Sequence, residues 1–138
     1  MPFLIETDVL LALISPEDKY HVDVIKLLDS FVGEIRLSPY AVVELDLLLK
    51  SGGIVITEIK TFYSLLSKVL QYRKVDSLLI KPTYHGEAGE LREKYKGLTY
   101  FDSLHAAIGI TENLELLSYD KEYLKIKELT CTSPKKYV

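Results

Sequence analysis

Short apolar runs alternate with amphipathic segments along this chain, and that alternation constrains the fold more than any other feature. Phe3-Leu4-Ile5, Ile35 to Leu37, Leu78 to Lys81, Glu115 to Ser118 and Glu128 to Thr132 are too short for anything but strands. Between them lie segments with helical periodicity: Val9 to Ile14, Tyr20 to Phe31, Ser38 to about Lys50, Thr57 to about Tyr72, about Thr83 to Tyr95, and Thr99 to about Glu112. Ser38-Pro39 reads as a cap followed by proline at the first helical position. A short helix is expected over Lys121 to Ile126. Strands that alternate with helices predict an α/β fold with a mainly parallel sheet. In such sheets ligands sit beyond the carboxyl ends of the strands, near the point where strand order reverses.

With 138 residues the chain is expected to form one domain spanning 1–138. It is 48% hydrophobic and 27% charged, which excludes a disordered chain. Its single cysteine, Cys131, excludes an internal disulfide framework. The longest stretch free of acidic and basic residues, Ser103 to Thr111, is far below the ~20 apolar residues a membrane helix needs. The opening residues lack the basic segment of a secretory signal, so a soluble, cytoplasmic protein is expected. The net charge of −3 gives no global basic field. Any contact with nucleic acid must therefore use a local patch, or cations that offset the acids.

Acids stand where ligands bind. The first apolar run ends in Glu6-Thr7-Asp8, and the run before Ser118-Tyr119-Asp120 ends the same way. Asp8 and Asp120 each precede a helix, where Asp is a common cap. Glu44 has Tyr40, Ala41, Leu47 and Leu48 as helical neighbours and no basic partner among them. A carboxylate on such a surface calls for a metal, an arginine from elsewhere in the chain, or a gap open to solvent. Asp102 follows Thr99 by three residues, the spacing of a capping box, and its helix continues small and apolar with His105 one turn on. There is no GxGxxG, P-loop, CxxC or HExxH motif. Oxygen ligands without cysteine or clustered histidine favour Mg²⁺ or Mn²⁺ over zinc.

These segments together resemble the PIN-domain nucleases, many of them toxins of VapBC toxin–antitoxin pairs. Leu4 to Leu11 is similar to the family's opening strand and D-T-[NSD] motif, and Ser38 to Leu45 to its Glu-bearing helix. Leu98 to Ala107 is similar to its central Asp motif, and Leu116 to Tyr123 to its last strand-end Asp. At one place the chain departs from the pattern: Glu6 stands where the family has its first Asp, with Asp8 two residues on.

The resemblance implies a three-layer PIN-like fold with a parallel sheet of about five strands flanked by helices. It implies a catalytic set of Glu6, Asp8, Glu44, Asp102 and Asp120, with Glu6, Asp8, Asp102 and Asp120 holding one or two Mg²⁺ or Mn²⁺ ions. Thr7, Ser118 and His105 would support these acids. RNA is the implied substrate, cleaved by metal-activated water, and Arg92, Lys94, Lys96 and Lys121 are candidates for its backbone. A small antitoxin protein and a second copy of the chain are the implied partners, with no membrane. The alternative is a PIN-like module without cleavage activity that binds RNA or a protein partner, which the Glu6 substitution favours.

Overall fold

A computed structural model describes residues 2–138. Strand β1 (Phe3–Ile5) is central, and its alternating side chains feed two separate cores. Phe3 and Ile5 join a cluster with Val9, Leu10, Leu27, Leu37 and Leu45, while Leu4 joins Tyr84, Leu91, Leu104, Leu116 and Tyr123. Burial on both faces explains why β1 reads as a continuous apolar run.

Strand β2 (Ile35–Leu37) lies parallel to β1 on one side and β4 (Glu115–Leu117) lies parallel on the other. The edges are β3 (Asp76–Ser77) beside β2 and β5 (Cys131–Thr132) beside β4. The order β3-β2-β1-β4-β5 is entirely parallel, so the chain moves outward from β1 in one direction and then returns to build the other half. Strand order therefore reverses at the β1–β4 pair, whose carboxyl ends carry Glu6 and Ser118. The helices are α1 (Thr7–Ile14), α2 (His21–Ser30), α3 (Pro39–Lys50), α4 (Ile59–Tyr72), α5 (Pro82–Lys94) and α6 (Tyr100–Thr111). Among the described residues no helix is long and apolar enough to cross a membrane.

Several boundaries differ from those expected. Strand β3 pairs at Asp76 and Ser77, upstream of the apolar Leu78 to Lys81 run. Its partner β2 ends at Leu37, whose carbonyl takes a last bond from the Leu78 N–H at 3.1 Å. With no ladder left, Leu79 and Ile80 are exposed and the chain enters α5 at Pro82. Strand β5 is likewise cut to Cys131–Thr132, the only positions opposite β4 residues. Helix α1 starts at Thr7, ahead of Val9, because Glu6 caps it. The Lys121–Lys125 segment is a 3-10 turn.

Candidate active site

Helix α1 follows β1 with no loop, which turns Glu6 back over the helix start. Its Oε1 accepts from the Asp8 N–H at 3.1 Å, so Glu6 is the cap and Asp8 lies in the first turn, the reverse of the capping role considered for Asp8. Glu6 is only 4% exposed. Burial holds its carboxyl well above the usual range, and the neighbouring Asp8 and Asp102 push it further up.

Asp102 sits in the first turn of α6, with Thr99 Oγ accepting its N–H at 3.3 Å. That is the Thr99 half of the predicted capping box. The Asp102 carboxylate turns to Tyr123, whose hydroxyl donates to Oδ1 at 3.0 Å and lies 3.4 Å from Glu6 Oε2. Burial raises the Asp102 pKa and Asp120 adds repulsion, while hydrogen bonds from Tyr123 and Thr99 pull the other way.

Ser118 ties the other two acids. Its hydroxyl donates to Asp8 Oδ2 at 2.9 Å and accepts from the Asp120 N–H at 3.0 Å. The Tyr119 N–H gives Asp8 Oδ2 a second donor at 2.8 Å. Asp8 Oδ1 is buried with no partner. Asp120 Oδ1 caps the 3-10 turn by accepting from the Glu122 N–H at 2.9 Å.

Glu44 belongs to an adjoining network. The Thr7 hydroxyl donates to its Oε1, and His105 Nε2 lies 3.2 Å from the same atom. His105 is fully buried, and its Nδ1 is 2.7 Å from Ser38 Oγ. In the neutral ring Nε2–H donates to Glu44 and Nδ1 accepts the Ser38 hydroxyl; a protonated ring donates from both nitrogens. Ser38 does stand at the start of α3, but its side chain makes no cap bond because it is spent on His105. Burial pushes Glu44 up, yet the bonds from His105 and Thr7 outweigh it and leave its pKa below the ordinary value.

The sequence-predicted acids thus fall into two groups. Glu6, Asp8, Asp102 and Asp120 are joined through Tyr123 and Ser118; Glu44 is held by Thr7 and His105. Tyr123 and Ser38 are the residues that sequence reasoning missed as site components. Of the basic candidates, Arg92 donates to Ser103 Oγ at 2.6 Å and lies over the Tyr100 ring. Lys94 is paired with Glu128 at 3.1 Å. Lys96 is exposed, and Lys121 lies beside Asp120 on the rim.

Among the described residues no group of three or more His, Cys, Asp or Glu side chains forms a cage for a metal ion. The acids are instead engaged in hydrogen bonds, Glu6 and Asp102 sharing Tyr123 and Asp8 and Asp120 sharing Ser118. This still fits Mg²⁺, which keeps several waters and is commonly bound by one or two carboxylates together with substrate phosphates. Glu6, Asp8, Asp102 and Asp120 are hard oxygen donors with no lysine or arginine paired to them among the described residues. The orphaned Asp8 Oδ1 is a free donor of that kind.

The sequence pattern of the PIN domain matches residues 3–129. No curated protein sequence matches. Among solved structures, VapBC2 from Rickettsia felis bound to a DNA fragment from their promoter is similar with a TM-score of 0.73 at 19% identity, over 96% of this chain and 98% of that one. VapBC-1 from nontypeable Haemophilus influenzae gives 0.70 at 15% identity, over 98% and 99%. A toxin–antitoxin complex from Klebsiella pneumoniae gives 0.68 at 18% identity, over 96% and 97%. At these identities the likeness establishes the fold.

Proposed function

The chain belongs to the PIN-domain family, and from that premise we propose that it is a Mg²⁺- or Mn²⁺-dependent endoribonuclease, the toxin of a toxin–antitoxin pair. The observation that carries this reading is the carboxylate of Glu6, pushed toward protonation by its burial first and by the neighbouring Asp8 and Asp102 next. Buried like charges are costly unless a cation offsets them. A divalent ion bound there would lower the pKa of a water and offset charge on the phosphorus oxygens.

The chain's own residues orient the acids for that task. Tyr123 holds the Asp102 carboxylate, and Ser118 with the Tyr119 N–H pins Asp8 Oδ2, leaving the buried Oδ1 without a partner. Thr7 and His105 keep Glu44 ionised, which suits it to accept a proton from a water or to orient one.

An antitoxin partner is supported by the neighbours, whose structures are of toxin–antitoxin complexes. An apolar groove of about 600 Å³ lined by Leu47, Leu48 and Phe101 opens beside Glu44 and offers a peptide a place to lie. Association as a homodimer belongs to the same reading, and sedimentation of the purified chain tests it.

The deciding assay is cleavage of a mixed single-stranded RNA pool with Mg²⁺, with Mn²⁺ and with EDTA. Cleavage that requires metal and is lost in Glu44→Gln supports the reading. Equal cleavage in EDTA rejects the metal chemistry. One observation favours a non-cleaving module instead: Glu6 is fixed as a helix cap, with an oxygen committed to the Asp8 N–H. RNA binding without cleavage in any metal would establish that second reading.

A further inference from the structure

Immediately beyond Asp120 lies a cavity of about 260 Å³ bounded by Tyr20, Tyr119, Asp120, Lys121, Ser133 and Lys135, among others. The Tyr20 and Tyr119 rings are stacked, with centroids 3.7 Å apart and planes 8° from parallel. Lys19 and Lys135 place their Nζ atoms over the Tyr20 ring, at 4.9 and 5.7 Å from its centroid. Lys19, Lys121 and Lys135 make no ion pair with any carboxylate among the described residues. In a chain of net charge −3, unpaired cations around an aromatic wall next to the acid site are a specific arrangement.

We infer that this cavity is a subsite for one nucleotide of single-stranded RNA flanking the scissile bond, with Lys121 and Lys135 on its phosphate and the stacked Tyr20–Tyr119 pair as the wall against its base. Lysine–phosphate contacts supply affinity that falls with salt. Aromatic side chains take any unstacked base, because every base has a π-face. A duplex, whose bases are already stacked, offers no free base to such a wall. Asp120 belongs to both the cavity wall and the carboxylate site, so an occupied subsite would set the register of the strand across the acids.

The inference rests on the ribonuclease reading, and its test separates the two. Binding of a fluorescent oligouridylate is measured in EDTA, where the proposed cleavage is off, over a range of salt. Lys121→Ala/Lys135→Ala should weaken binding about tenfold at low salt and reduce the slope of log K against log salt by about 0.7, the value for the one phosphate contact the two lysines share. Lys60→Ala/Lys68→Ala, the same charge change on exposed residues of α4 outside the cavity, should leave both values unchanged. Tyr20→Leu should weaken binding about tenfold and Tyr20→Phe should not, since only the first removes the ring. Unchanged affinity and slope in the Lys121/Lys135 variant, or an equal loss in the α4 variant, overturns the subsite while RNA cleavage by the wild type stands. A wild type that neither binds nor cleaves RNA overturns both.

Discussion

Tyr123 and Asp102 are joined by a hydrogen bond of 3.0 Å that links the 3-10 turn after β4 to the first turn of α6. Tyr123 has no exposed surface, and its hydroxyl also lies near Glu6. It is therefore the common anchor of two acids from opposite ends of the chain.

Tyr123→Phe keeps the buried ring and removes only that anchor. A hydrogen bond to a charged acceptor contributes about 1.5–3 kcal/mol, and Asp102 is partly solvated, so a loss near the low end is expected. Misplaced acids should slow cleavage by roughly tenfold to a hundredfold. A thermal melt and a single-turnover cleavage assay check the two effects. Full activity in Tyr123→Phe would remove the hydroxyl from the site.

The Ser38–His105–Glu44 chain makes a second prediction. Glu44 has a lowered pKa in the fold, so its ionised form contributes stability above its unfolded value, near 4.5. That contribution is lost as pH falls through the still lower folded value. The stability gap between wild type and Glu44→Gln should therefore be largest near neutral pH and close below about pH 4.5. Ser38→Ala frees the buried His105 ring and costs about 1–3 kcal/mol. It should also move the Glu44 titration upward, followed by carbon NMR of its carboxyl. A cap-only Ser38 would cost stability and leave that titration where it was.

Much of this candidate site is legible in the sequence because it lies on local patterns. The apolar runs at Phe3–Ile5 and Glu115–Leu117 predicted buried strands, and the acids after them fell at the reversal of strand order. Glu44 showed itself as a carboxylate with no local partner, and its partner is indeed distant, His105 on α6. What was hidden depends on pairing across the fold. Tyr123 lies in a short turn where a tyrosine signals only a core edge, and the acids it serves are 21 and 117 positions away. Ser38 carries a cap signature, and nothing near it in sequence says that a buried imidazole takes the hydroxyl. Strand β3 departs from its apolar run because its extent is set by where β2 ends, not by its own apolar residues.

Helix α6 supplies a prediction about packing. A Cβ on Gly109 would meet Leu129 Cδ1 at 2.7 Å and the Leu114 carbonyl oxygen at 3.4 Å. The leucine tip can swing, but it is largely buried and the carbonyl belongs to the backbone. Gly109→Ala gains about 1 kcal/mol of helix propensity. Overpacking costs about 1–3 kcal/mol, so the expected result is net destabilisation of ~1 kcal/mol. Denaturant melts decide the sign, and a more stable variant would mean that Leu129 repacks freely.

The last prediction concerns the cost of holding the acids without metal. Glu6 and Asp102 both have folded pKa values raised above their ordinary 4.5 and 3.8, by burial first and by neighbouring carboxylates next. Such groups bind more protons in the folded state than in the unfolded one. Their protonated form contributes stability that is fully present below the unfolded values and is lost as pH rises through the folded ones. The metal-free protein should therefore lose stability from these groups as pH rises above about 4.5, in the opposite sense to Glu44. Asp102→Asn removes one repelling charge and should raise the melting temperature of the metal-free protein near pH 7. Its backbone N–H keeps the bond to Thr99, so the cap survives the change. Mn²⁺ at a hundred times its Kd should stabilise the wild type by about 2.7 kcal/mol, and much less in the variant. Melts of both proteins in EDTA and in excess Mn²⁺ give every value needed. A destabilised Asp102→Asn protein with an unchanged metal response would make Asp102 a structural residue and remove it from the proposed metal site.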